Sequence, residues 1–341
     1  MNAHIIAIPV SSVGLHSGFR SNSWYKHRID IFKRYTLQSL KNQSNKDFIL
    51  WLWFRPEEAS NPLTQEIARA LDEAKLKYVF SFNGLLYVDD KFVSYTLKTQ
   101  LKNLLQMVWD MWLYKQWRSP KELWKYTWEN KNKTLPVRLQ SALEELKARI
   151  GTGYEWIYLT RIDSDDMFHR EAVNLIQSCE PKENKALVFT TGFIYNVITK
   201  QLASWNPPTN PPFHTIIFSA KTFFDSKKHQ EYYKDFKSHE DITRIFNCEV
   251  LDMYKYMVSF HGKHISTAWS SDILRKGKHI LQHGSSNPFR GKEIKGYCYT
   301  TSGQNISTHW QSRLRQQKNK MIGEEYTNKT TKEQILADFG I

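Results

Sequence analysis

Cysteine is scarce in this chain. Only Cys179, Cys248 and Cys298 occur in 341 residues, far apart, odd in number and without a CxxC pair. That argues against a disulfide framework and points to a reducing compartment. Long apolar runs are missing as well: nowhere do the roughly 18 uninterrupted apolar residues of a membrane-spanning helix occur. The opening Met1–Pro9 has no basic leader and too short an apolar run for a signal peptide. The expectation is a cytoplasmic protein with no transmembrane segment. No internal repeat is visible, and no low-complexity segment beyond the proline loop Asn206–Pro212. The four prolines of that loop remove donors that a helix or an inner strand needs.

What is present is apolar and basic. A hydrophobic content of 40% with 14% aromatics describes a compact globule rather than a disordered chain. The length allows one large α/β domain, or one domain with an elaboration. A formal charge of +14 favours polyanions: nucleotide diphosphates, anionic lipid surfaces or nucleic acid. Charge alone does not choose among them.

The apolar pattern alternates between strand and helix. Ile5–Ile8 reads as a first buried strand. Ile29, Phe32, Thr36, Leu37 and Leu40 follow helical spacing over 28–41, and Phe48–Phe54 has the length of a strand. A helix at 63–75 and a strand at Tyr78–Phe82 complete an alternation that predicts a parallel sheet with crossover helices. From 85 to 133 the pattern changes to a long amphipathic helix followed by tryptophans interleaved with lysines, which reads as an insertion. Its aromatics suit internal packing, stacking of an acceptor sugar, or an anionic membrane or unstacked bases. A helix opening near Pro136 ends at Gly151–Gly153. Beyond it, Glu171–Ser178 reads helical, while Ala186–Tyr195, Gln201–Trp205 and His214–Ser219 read as strands.

The most informative stretch is Tyr154–Asp166. A β-rich run delivers Asp163, Asp165 and Asp166 to its own carboxyl end, just after Arg161. Ligands of α/β sheets gather at that edge. Clustered carboxylates repel one another, and a divalent cation bridging to substrate phosphates is the simplest reason to keep them. An EF-hand is excluded, because the fifth and sixth positions counted from Asp163 are Met167 and Phe168 rather than an oxygen ligand and glycine. A phosphatase-type nucleophile is also a poor match, since the pair is mid-chain and Met167 follows it. A diphosphate-clamping Asp-x-Asp fits best.

The form Thr160–Asp166 resembles the Asp-x-Asp motif of GT-A fold glycosyltransferases, and more narrowly the rhamnosyl transferase family of bacteria and viruses. The likeness takes in Arg28–Phe32, Leu40–Gln43, Asp47–Phe48, residues 154–205 and Gln282–Asn287. It implies an α/β GT-A fold with a mainly parallel central sheet and helices on both faces. On this chain that becomes a domain over 1–290 containing the helical Trp-rich insertion 85–133, followed by a basic and polar extension, 291–341. It implies Mn2+ or Mg2+ on Asp165, with Asp163 toward the nucleotide or the metal and Asp166 sharing either role. His283 would add a metal ligand, with His261 and His264 as weaker competitors. Arg161 and Arg28 are candidates for phosphate or base contacts, although surface ion pairs explain them equally well.

A second constellation, Ser238–Phe246, resembles the Glu-Asp pair that opens a helix below the acceptor of inverting enzymes. It casts Asp241 as the general base, with Glu240 beside it. The alternative is a plain N-cap at Ser238, with acidic residues complementing the helix dipole. The expectation is therefore a metal-dependent, inverting glycosyltransferase of polysaccharide biosynthesis. Its nucleotide-sugar donor would be dTDP-rhamnose if the family name holds, and its acceptor a glycan or a lipid-linked sugar at the anionic inner membrane face. Sugar transfer to hydroxymethylated DNA bases is a second reading. A non-catalytic binding protein is a third, and the intact Asp163, Asp165 and Asp241 speak against it.

Overall fold

In a computed structural model of the chain, the described residues are 1–11, 22–83, 135–205, 213–233, 242–251, 253–261 and 322–341. The expected insertion at 85–133, the proline loop, Ser238, Glu240, Asp241, His264, His283 and residues 291–321 of the expected extension lie outside them.

The chain opens on β1 (Asn2–Pro9). Helix α1 (Asn22–Ile31) then runs through one π-helical turn (Phe32–Thr36) into α2 (Leu37–Lys41). Next come β2 (Ile49–Trp53), α3 (Pro62–Glu73) and β3 (Tyr78–Ser81). Helix α3 starts where its pattern requires: the Asn61 side chain accepts from the Leu63 N–H, and Pro62 fills the first turn, where a missing N–H costs nothing. Helix α4 (Leu135–Ile150) stops at Gly151, whose φ of +82° is the left-handed conformation that glycine adopts freely. It leads to β4 (Trp156–Arg161), the acidic turn, β5 (Met167–Phe168) and α5 (Ala172–Gln177).

The first sheet has the order β10-β6-β9-β4-β1-β2-β3, with β6 (Lys185–Val188), β9 (His214–Ser219) and β10 (Asn247–Val250). Its neighbours run parallel except β9, which is antiparallel to both β4 and β6. The expected α/β architecture with a mainly parallel central sheet is therefore the one observed. Both faces are covered. Ile6, Ile8, Leu50 and Leu52 point into one core with Ile29, Ile67, Leu71 and Ile176 from the helices. Ile5, Ala7, Trp51 and Trp53 point into the other with Ala142, Leu143, Leu146 and Phe223. Two buried faces are why these strands are almost continuously apolar rather than alternating. Phe223 belongs to α6 (Ala220–Phe224), which is followed by α7 (Ser226–Tyr233) and α8 (Ile242–Ile245).

A second sheet has the order β12-β8-β7-β11-β5, with β7 (Gly192–Asn196), β8 (Gln201–Trp205), β11 (Tyr256–Phe260) and β12 (Ile322–Glu325). Here one expectation is corrected. The apolar run Ala186–Tyr195 is not one strand: β6 ends at Val188 in the first sheet, and β7 starts at Gly192 in the second. The residues between cross from sheet to sheet, with the Phe189 N–H donating to Phe213 O and Thr191 O accepting from Tyr254 N–H. Gly192 allows the crossing, since a Cβ there would lie 2.6 Å from the Tyr256 carbonyl oxygen.

The described end of the chain is built into this second sheet. Strand β12 pairs antiparallel with β8, and α9 (Lys329–Asp338) follows, capped by the Asn328 side chain. Phe339 is fully buried among Met167, Phe193, Tyr195, Leu202 and Met257. The Arg170 N–H donates to the Asp338 carbonyl at 2.9 Å, tying the chain end to the strand that leaves the acidic turn. Among the described residues no helix is long and apolar enough to cross a membrane.

Candidate functional site

Successive strands β1, β2 and β3 step outward in one direction, and β4 then returns to the other side of β1. That reversal leaves a crevice beyond the carboxyl ends of β1 and β4, the place where open α/β sheets bind ligands. The acidic turn sits there. The Ile162 N–H donates to the Ala7 carbonyl at 3.2 Å, holding the chain beside β1 for one residue past the strand. The chain then folds sharply, and the Asp166 N–H closes the turn on the Asp163 carbonyl at 3.1 Å.

The turn sends its three carboxylates in three directions. Asp163 faces outward, its side chain about one-third exposed, and accepts from Arg161 Nη2 at 2.9 Å. Asp165 is buried. Its Oδ2 lies 2.5 Å from Arg28 Nη1 and 3.0 Å from His261 Nε2. Asp166 is buried too, and accepts the Ser259 N–H at 3.2 Å. The Ser259 hydroxyl donates in turn to the Asp165 carbonyl, so β11 grips both residues. Burial, the Asp165 charge and the Asp163 charge, in that order, push the Asp166 carboxyl well above the ordinary range; the Ser259 N–H and Arg28 only partly offset them.

The surrounding helices fix this arrangement. Arg28 projects from α1 beside Tyr25, Ile29 and Phe32, all fully buried. After the π-helical turn the Ser39 hydroxyl donates to the Thr36 carbonyl at 2.8 Å and accepts the Phe168 N–H at 3.2 Å, pinning β5 to α2. On the far side, His27 Nε2 lies 3.3 Å from His261 Nδ1. Donation from His261 Nε2–H to Asp165 leaves Nδ1 as the acceptor for His27. A partly buried histidine thus touches a buried one, which touches the carboxylate.

Of the residues read from sequence, the structure brings Arg28 and Asp165 into contact, and places Asp163, Arg161 and Asp166 on the same turn. Glu240, Asp241 and His283 lie outside the described residues. His261, weighed only as a competitor to His283, is the histidine found at Asp165, and His27 went unnoticed. Neither had a local signal: 96 residues separate His261 from Asp165, and 234 separate it from His27.

Asp165 Oδ2 and His261 Nε2 lie 3.0 Å apart as hydrogen-bond partners, and the same carboxylate meets Arg28. Among the described residues no group of three or more His, Cys, Asp or Glu is arranged to hold a metal. A cation here would take one carboxylate and one imidazole from the protein and leave its other positions to phosphate oxygens and water.

No protein-family model matches the chain, and no curated protein is similar to it. Among solved structures the chain is similar to the crystal structure of S. aureus TarS 1–349, at 13% identity and a TM-score of 0.34, over 86% of this chain and 69% of that one. At that score the likeness carries no argument.

Proposed function

We propose that the chain is a glycosyltransferase that moves a sugar from a nucleotide-activated donor to a hydroxyl of a glycan or lipid-linked acceptor, with inversion and with Mn2+ or Mg2+ as cofactor. One observation carries the reading: an outward Asp163 and an inward Asp165, the latter facing His261, share a turn at the point where the strand order of the mainly parallel sheet reverses. A nucleotide diphosphate needs contacts to ribose and pyrophosphate at such a crevice.

In this reading Asp165 and His261 would hold the cation. When bound, it supplies charge stabilisation to the departing diphosphate without any proton transfer. Asp163, steadied by Arg161, faces the ribose or the water around the metal. Asp166, through Ser259, keeps the turn at its angle. The acceptor proton is assigned to Asp241, with Glu240 beside it. A rhamnosyl donor such as dTDP-rhamnose follows from the sequence resemblance and heads the donors to be tried. The net charge of +14 suits an anionic donor and an acceptor at an anionic membrane face.

The test is release of nucleotide diphosphate from UDP-, GDP-, dTDP- and CMP-sugars, with Mn2+ or with EDTA, by the wild type and Asp165→Ala. The expected result is metal-dependent release from one donor, reduced about a hundredfold or more in the variant. Release that survives both EDTA and the substitution would sink the proposal. So would silence across the panel combined with no Mn2+-dependent nucleotide binding by calorimetry. Strong, salt-sensitive binding of duplex DNA would move the acceptor to nucleic acid.

A further inference from the structure

Resting on the glycosyltransferase reading, we infer that Trp53 and Phe82 select the donor's nucleobase: the base stacks on Phe82 and accepts a hydrogen bond from the Trp53 indole N–H. Trp53 is the last residue of β2, opposite Pro9 of β1 and Ser81 of β3, and so stands at the carboxyl edge where the crevice lies. The adjoining strands hold it there. The Val10 N–H donates to the Trp53 carbonyl at 3.0 Å, and the Phe54 N–H donates to the Ser81 carbonyl at 2.9 Å.

Two tryptophans on one face of β2 make the contrast that carries the inference. Trp51, one pleat deeper, is almost wholly buried and donates its Nε1–H to the Ser81 hydroxyl at 2.9 Å. Trp53 packs edge-on against it, with ring centroids 5.0 Å apart, and is 9% exposed. Its Nε1 is buried, yet it has no hydrogen-bond partner among the described residues. A buried indole N–H ordinarily finds an acceptor, because leaving the bond unmade costs the full desolvation of the group. The fold satisfies the inner indole and leaves the one at the ligand edge for a ligand.

The other side of the same strand end supplies a stacking surface. Phe54 follows Trp53 and therefore points to the opposite face. It is fully buried and stacks on Phe82, with centroids 5.3 Å apart and planes 26° apart. Phe80 braces Phe82 edge-on at 6.1 Å. Phe82 lies one residue beyond β3 and stays partly exposed. A partly exposed ring and an unmet donor suit a planar ligand with acceptor atoms on its rim, and a nucleobase is such a ligand. Its place also fits the donor. Only β1 separates β2 from β4, so their carboxyl ends stand about 10 Å apart. A nucleoside bridges that gap, with its base at β2 and its diphosphate at the acidic turn.

The experiment is calorimetric titration of UDP, dTDP, CDP, GDP and inorganic pyrophosphate, each with Mn2+, into the full chain as wild type, Trp53→Phe, Phe82→Leu and Trp51→Phe. Trp53→Phe keeps an aromatic ring and deletes the N–H. It should weaken the best-bound nucleotide about fivefold and narrow its lead over the others. Phe82→Leu should weaken the nucleotides about tenfold, as loss of one stacked base does. Pyrophosphate, which has no base, should bind all four proteins equally. Trp51→Phe should leave every nucleotide affinity unchanged, since its N–H is engaged by Ser81. Unchanged nucleotide affinity in either Trp53→Phe or Phe82→Leu overturns the subsite and leaves the glycosyltransferase reading standing. A loss that falls equally on pyrophosphate does the same. If the wild type binds none of the nucleotides, the reading itself fails and takes the subsite with it. Should Trp53→Phe fail to fold, the partly exposed Phe82 decides, by the same comparison of nucleotides with pyrophosphate.

Discussion

The two sheets differ in strand length and direction, and the polar groups of the site sit where they meet. The first sheet is dry on both faces. β1 and β2 carry Ile5, Ile6, Ile8, Leu50, Trp51 and Leu52, each almost wholly buried, and its helices close over both sides. The second is short-stranded and mostly antiparallel, and its β5 is only two residues long. Its β11 nevertheless supplies Ser259 and leads into His261, the residues that meet Asp165 and Asp166. The first sheet provides a rigid edge and one outward carboxylate, Asp163. The second takes hold of the other two carboxylates and sets their directions. A site of this kind is built at the joint between a larger, mainly parallel sheet and a smaller, mostly antiparallel one.

The comparison breaks most readily at Phe339. Its ring is fully buried, 5.6 Å from the His169 ring and 5.9 Å from that of Phe193, in the cluster that also contains Met167. Phe339→Ala should cost about 3–5 kcal/mol by the usual cavity and transfer terms. Because Met167 directly follows Asp166, nucleotide affinity should fall with it. Leu146→Ala, in the core on one face of the first sheet, should cost about 2–5 kcal/mol while leaving nucleotide affinity unchanged at temperatures where the variant is folded. Denaturant melts and calorimetric titrations of the two variants decide the matter. Equal effects on affinity would mean that the site does not belong to the second sheet in the way argued.

Acid should attack the first sheet. His4 on β1 is fully buried, hydrogen-bonded to Thr160, and burial lowers its pKa to about 3. His229 on α7 stacks on Phe218 of β9, and burial lowers its pKa to about 4, although its bond to the Phe223 carbonyl pulls the other way. In the unfolded chain both titrate near 6.5. Below that pH the unfolded state takes up protons that the folded state refuses, so stability rises with pH and is lost as pH falls. Each histidine contributes a slope of about 1.4 kcal/mol per pH unit between 6.5 and its folded value. Urea midpoints should therefore drop clearly between pH 7.5 and pH 5. A flat profile over that range would show that neither histidine is held neutral.

How much of this was legible follows the same division. The strands of the first sheet announced themselves, because Ile5–Ile8, Phe48–Phe54 and Tyr154–Arg161 are apolar runs bounded by turn residues. The acidic turn was legible for the same reason, since it ends such a run. The second sheet was legible mainly at β8, read and observed as Gln201–Trp205. A strand of two residues has no period, β11 went unread, and β7 was merged with β6 because the apolar run passes through Phe189. The one local sign of that break was Gly192, whose need for close approach to Tyr256 is a fact of tertiary packing. His27 and His261 escaped for a related reason. A histidine earns its role from what faces it, and what faces these two lies far away in sequence.

The smallest expected effect sharpens the comparison within a single pair of neighbours. Asp165 and Asp166 are adjacent and similarly buried, yet one meets Arg28 and His261 while the other meets a backbone N–H. For Asp166, burial and two like charges hold the carboxyl well above its ordinary range, so its ionised form is a cost to the fold. Its folded pKa is raised, so whatever stability it gives is present at low pH and lost as pH rises through that folded value. Asp166→Asn keeps an oxygen to accept the Ser259 N–H and removes the repulsion. It should therefore leave stability at neutral pH unchanged, or raise it by up to about 1 kcal/mol, with nucleotide binding retained. Asp165→Asn instead leaves Arg28 buried against a neutral amide, and should cost about 3–5 kcal/mol together with metal-dependent turnover. Thermal melts and nucleotide titrations of the two variants side by side separate the roles. A loss of nucleotide binding in Asp166→Asn equal to that in Asp165→Asn would make Asp166 part of the ligand site and not its support.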